Sequence, residues 1–164
     1  MTSILKVSEI QDVTNSNTAL TIDANGNPTF AKNISQTDLQ WWSGFHDTSA
    51  VYGAGNTIAN WTKHQGNGIT ESSGIWTIPV AGVYLISVSV IADTNINGFF
   101  WWVNSTKYWR LGYSSSTQYQ QSGSTIMHQF NANDTLKFTQ ENATAKIYGD
   151  STNSVSGMCI YKVG

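Results

Sequence analysis

The sequence predicts an all-β fold, a sandwich or jelly roll of about eight to ten short strands. Three observations carry that prediction. Apolar and small polar residues alternate, most clearly in "GVYLISVSVIA" (82–92), where Tyr84, Ile86, Val88 and Val90 share one face and Ser87 and Ser89 the other. Turn-forming clusters such as "DTNING", "NAND" and "DSTNS" recur at short spacing. The chain is rich in strand formers, with 7 Trp, 7 Tyr and 6 Phe, and a 3.6-residue apolar rhythm is missing.

Taken in order, residues 1 to about 37 read as a separate segment. "SILKVSEI" is a short strand, and "ALTIDANGNPTF" is a hairpin in which Asn25-Gly26 supplies positive φ before Pro28 and Phe30. A lone hairpin cannot bury its apolar side, so this one must pack on something larger. Residues 38–164 form the main domain. "NISQTDLQWW" comes nearest to a helical start and breaks at "SGFHDTS". Strands are then expected at "GIWTIPV", "AGVYLISVSVIA", "FFWWVN", "KYWRLGY", "STIMHQF", "DTLKFTQ", "AKIYGD" and "SVSGMCIYKV". The polar stretch "GYSSSTQYQQSGS" is expected to be an exposed loop suited to recognition.

Charge and cysteine content exclude several function classes. Charged residues are 11% of the chain and the net charge is −2, with no Lys/Arg cluster along the sequence, so no nucleic-acid partner is expected. No apolar run is long enough to span a membrane, and no signal peptide is expected at the N-terminus. Cys159 is the single cysteine and reads as a buried, inert thiol. His46, His64 and His128 lack ligand spacing. Asp93, Asn95, Asn97 and Gly98 begin like a calcium loop, but Asn104 stands where a bidentate Glu belongs, so Asp93–Asn97 reads as an Asx-rich turn and no metal or other cofactor is expected. "GYSSS" fails the nucleophile elbow, and Asp134, Glu141 and Asp150 do not stand out as an acid–base pair. Asp134 reads instead as a cap on the "NAND" turn. No enzyme is expected.

"FFWW" (99–102) is apolar on both faces of a strand, with Phe99, Trp101 and Val103 on one side and Phe100 and Trp102 on the other. Which set faces inward is open from sequence. Burying an aromatic is worth about 2–3 kcal/mol, so a second greasy face calls for a cover. Closed cyclic symmetry provides one without starting a filament. The expected homotrimer interface is therefore Phe99, Phe100, Trp101, Trp102 and Tyr108, with a loop of the same chain as the alternative cover. Flat aromatics beside Asn, Gln and Asp suit sugar rings, and the candidate recognition residues are Trp42, Trp109, Tyr113 and Tyr119, with Trp41 nearby.

Three segments, in order, resemble the globular heads of complement "C-one-q" proteins, whose fold is shared with tumour necrosis factor. Gly74, Trp76, Pro79, Gly82 and Tyr84 fit the first. Phe130 and Asp134 fit the second, with Asn133 where the family has Gly. Ser156, Gly157, Ile160 and Tyr161 fit the closing strand, with Val155 where an aromatic is usual. The resemblance spans roughly residues 39–164 and implies a jelly roll that associates as a trimer. Residues 1–37, with "SILKV" followed by "TIDANGNPTF", are similar to openings of bacteriophage tail and fibre proteins. Together these resemblances imply a non-enzymatic virion surface protein on the particle exterior. Residues 1–37 would contact other virion proteins, and a trimeric knob would adhere to the host surface, with host glycan as a candidate ligand. Two alternatives are a capsid decoration protein that cements the head and a carbohydrate-binding module.

Overall fold

The computed structural model describes residues 9–11, 18–25, 27–30, 39–93, 98–111, 119–141, 144–153 and 155–164. The chain divides into two compact units, Met1–Thr37 and Asp38–Gly164. In the first, β1 (Glu9–Gln11), β2 (Thr18–Ile22) and β3 (Pro28–Phe30) form an antiparallel sheet in that order. β2 pairs with β3 with Leu20 opposite Phe30 and Ile22 opposite Pro28. Asp23 closes the turn between them: its Oδ1 accepts from the Asn25 and Asn27 N–H groups, each at 2.8 Å. A short Asp side chain satisfies backbone donors that a tight turn leaves unpaired.

The second unit is built from β4 (Trp41–His46), β5 (Thr48–Tyr52), β6 (Trp61–Asn67), β7 (Thr70–Ser72), β8 (Ile75–Thr77), β9 (Gly82–Asp93), β10 (Phe99–Val103), β11 (Thr106–Leu111), β12 (Gln120–Phe130), β13 (Thr135–Gln140), β14 (Ala145–Asp150) and β15 (Gly157–Lys162). A five-stranded sheet runs β11-β10-β13-β8-β7. A seven-stranded sheet runs β5-β14-β9-β15-β4-β6, with β12 on the other side of β9. The two sheets enclose one core, the jelly roll the sequence predicts. The stretch read as closest to a helix start, 33–42, ends in strand at Trp41 and Trp42, and its residues 33–38 lie outside the described residues. The tail of the expected recognition loop is strand too, since β12 starts at Gln120.

Alternation sets the core. Tyr84, Ile86, Val88 and Val90 of β9 are buried, as are Phe99, Trp101 and Val103 of β10. Aromatic edges meet aromatic faces across the layer. Trp76 has Trp42, Trp61 and Phe138 within 5.4–5.9 Å, and Phe138 leads on to Phe99 at 6.0 Å. Such pairs add about 0.5–1.5 kcal/mol each beyond the apolar area they bury.

Two features of the closing segments have local causes. β9 pairs with β15 up to Ser89 and with β14 from Ala92. The buried Ser156 spans the gap: its Oγ accepts from Ile91 N–H at 2.9 Å and donates to Tyr148 O at 2.6 Å. In the "NAND" turn Asn133 has φ 68°, a left-handed conformation that Asn tolerates far better than most side chains, which is why Asn can stand where Gly is usual. Asp134 caps that turn, its Oδ2 accepting from Asn131 N–H at 2.8 Å.

Candidate functional site

The seven-stranded sheet turns one face to the core and leaves the other open. Cross-strand partners share a face, so the register builds the open side row by row. One row is Met127, Leu85, Tyr161, Trp41, Asn67, and the next is Thr125, Ser87, Cys159, Ser43, Gln65. A third is Gly123, Ser89, Gly157, Phe45, Thr62. None of these side chains is charged, and Cys159, expected to be buried, is exposed here because its side of β15 faces away from the core; that expectation is corrected. Met127 is 65% exposed and Tyr161 42% exposed. Trp41 leans on Tyr161 at 6.1 Å. Thr125 donates to Ser87 Oγ at 3.1 Å, and the Gln121 amide to Ser89 Oγ at 2.7 Å, so the serine hydroxyls in the middle of the face are met by side chains of β12.

A shallow groove of about 330 Å³ lies along this face between Ser87, Ser89, Gln121 and Cys159. Beyond Val155 a second, of about 270 Å³, is lined by Ile91, Tyr119, Tyr148 and Asp150. Tyr119 is 66% exposed and stacks on Tyr148 at 4.8 Å and 27°. Its φ of 47° is costly for a bulky residue. Of the sequence-predicted recognition residues, Tyr119 alone has a described side chain standing clear of the surface. Trp42 is fully buried against Trp76, so it cannot offer a face to a sugar; that expectation is corrected. The Trp109 backbone lies in β11; its side chain, and all of Tyr113, fall outside the described residues. So do residues 94–97 of the calcium-like turn. Among the described residues no group of three or more His, Cys, Asp or Glu could hold a metal.

"FFWW" lies in the five-stranded sheet. Phe99 and Trp101 are 0% and 2% exposed within a single chain. They fill this chain's own core, and the expectation that they form a subunit interface is corrected. Tyr108 is half-buried, its ring 4.6 Å from Trp101 and 5.1 Å from His128. Phe100 and Trp102 point outward and are half-buried under their own chain. The Lys107 ammonium sits 4.4 Å from the Phe100 ring, and that of Lys137 5.2 Å from Trp102. Trp102 Nε1 donates to Thr139 Oγ1 at 2.8 Å. Sequence reasoning missed the rows around Leu85, Met127 and Tyr161. The alternation of β9 shows that Leu85 faces away from the core, but not which strands flank it.

Titratable groups are spent on structure. His46 is fully buried, and its Nε2 lies 2.9 Å from the Tyr52 hydroxyl, which donates to Ala59 O at 2.8 Å. Burial holds the His46 pKa down against the pull of Asp47, and burial pushes Tyr52 up to about 12. His128 is held down by burial as well, partly opposed by Asp134. Asp150 is held low chiefly by the hydrogen bond from the Asn153 side chain, and the Thr152 and Asn153 N–H groups add to it.

No family model matches the chain, and no curated protein matches it. Solved structures do match. The globular domain of zebrafish complement 1qA protein superposes with a TM-score of 0.60 at 8% identity, covering 76% of this chain and 98% of that one. Murine APRIL gives 0.56 at 12% identity, with 76% and 99% covered. Eiger TNF from S. frugiperda gives 0.55 at 14% identity, with 77% and 92% covered. At these identities the likeness is one of fold, the jelly roll of the complement and tumour necrosis factor heads.

Proposed function

We propose that the chain is a non-enzymatic, self-associating surface knob, a homotrimer closed through the open face of the seven-stranded sheet. The observation that carries this reading is the face itself, three uncharged rows across five strands with Met127 and Tyr161 left in water. Charge scattered across a sheet face is what keeps monomers apart, and these rows have none. Closure around an axis rather than an open stack fits the face, because a head-to-tail contact whose rotation closes at three copies uses up the sticky surface. In this reading residues 1–37 moor the knob to a larger particle, a bacteriophage virion by the likeness of that segment's sequence. The exposed Tyr119, stacked on the half-buried Tyr148, is then a contact point for host surface. Several weak sites on one trimer strengthen each other through effective concentration.

Labelling of purified virions with an antibody against the chain tests the setting. Label at the tail is expected for a fibre tip, and label spread over the head for a capsid decoration protein. No label on any particle overturns the virion reading and leaves a free-standing binding module.

A further inference from the structure

The outer face of the five-stranded sheet carries a feature that self-association does not use. Strand pairing sets Trp102 opposite Lys107 on one side and opposite Lys137 on the other, and sets Phe100 opposite Arg110. Three of the chain's eight Lys and Arg residues thus gather on one face, brought there by β11 and β13 on either side of β10. Arg110 is paired with Glu141. Lys107 and Lys137 have no carboxylate within 4.0 Å among the described residues; both ammonium groups rest over aromatic rings instead. A cation held over a ring gains about 0.5–1 kcal/mol at an exposed site, less than a well-formed charge-assisted hydrogen bond returns, so both lysines are available to an anion.

We propose that this face, at Trp102 between Lys107 and Lys137, binds an acidic polysaccharide. The two lysines flank Trp102 from neighbouring strands, about 10 Å apart at their backbones, a span wider than a single anionic group. A chain bearing repeated carboxylate or sulfate groups meets both. Once an anion draws the two ammonium groups off them, the half-buried Phe100 and Trp102 rings offer apolar contact to the C–H faces of the sugars between the charges. Two unpaired cations on a chain of net charge −2 are too few to track a phosphate backbone. This inference deepens the recognition part of the reading above and is independent of self-association.

Affinity electrophoresis of the full chain through gels holding polygalacturonate, heparin, RNA or neutral dextran tests it. The expected result is retardation by polygalacturonate, heparin or both, none by dextran, and loss of retardation at high salt. The two acidic polymers distinguish carboxylate from sulfate. Lys107→Gln with Lys137→Gln should weaken binding at least tenfold while circular dichroism stays unchanged, and Lys63→Gln with Lys162→Gln should leave it intact. The inference is overturned if neither acidic polymer retards the chain, if RNA alone does so, or if both lysine pairs matter equally. Sedimentation of the same samples keeps the two readings apart, since a monomer that binds contradicts only the trimer, and a trimer that does not bind contradicts only this site.

Discussion

On the five-stranded sheet the outward aromatics are roofed by the chain itself, with Lys107 and Lys137 over Phe100 and Trp102 and a hydrogen bond from Trp102 to Thr139. On the seven-stranded sheet such a cover occurs at β14, where Lys146 lies 4.9 Å from the Tyr148 ring, but among the described residues none lies over the three uncharged rows, where Met127 stands 65% exposed. One sheet solves the problem of a greasy outer face with long cationic stems, whose methylenes cover apolar surface while the charge stays wet. The other carries small hydroxyls, Cys159 and apolar side chains with no charge in three rows, a surface suited to close approach by another copy. The difference teaches that an aromatic-rich strand is not by itself an interface; what matters is whether its neighbours bring charge to the same face.

Substitutions can break this contrast, starting with the largest effect. Trp101→Ala removes an inward side chain of β10 that is 2% exposed, and should cost about 3–5 kcal/mol in equilibrium denaturant unfolding. Trp102→Ala, one residue on, removes an outward and half-buried side chain and should cost about 1–2 kcal/mol. Equal losses would mean that the two faces of β10 are not distinct. A third test is pH. His46 and His128 have folded pKa values held below the ordinary histidine value of 6.5, so the unfolded chain takes up protons first as pH falls. Their contribution to stability is complete above about pH 6.5 and is lost as pH drops below it. The melting temperature should therefore fall on acidification from pH 7.5 to 5.5, and His46→Gln should flatten that slope. The smallest effect belongs to Lys137→Gln, which should change stability by no more than about 0.5–1 kcal/mol, because a cation over a ring at the surface contributes little.

Much of the fold was legible because it is written in alternation and turns. Tyr84, Ile86, Val88 and Val90 in β9 announce a half-buried strand, and "NAND" announces a turn that Asp134 does cap. β6, by contrast, buries Trp61 and leaves residues 62–65 exposed, so it offers no alternation to read. The two faces of "FFWW" were visible in sequence, but their covers were not. Lys137 reaches Trp102 from β13, thirty-five positions away, through a pairing that no local pattern encodes. The burial of Trp42 likewise follows from Trp76, which a crossing strand places against it. The lysine pair around Trp102 escaped notice for the same reason, since it is a cluster in space and not along the chain.

Sedimentation equilibrium at low micromolar concentration, on the wild-type chain and on Ser87→Arg, tests the central claim. Ser87 lies mid-face between Thr125 and Cys159, where an added guanidinium changes nothing in the core. The account predicts three-chain mass for the wild type and single-chain mass for a variant whose circular dichroism is unaltered. A folded wild-type monomer at that concentration, or a variant that assembles as the wild type does, would contradict it.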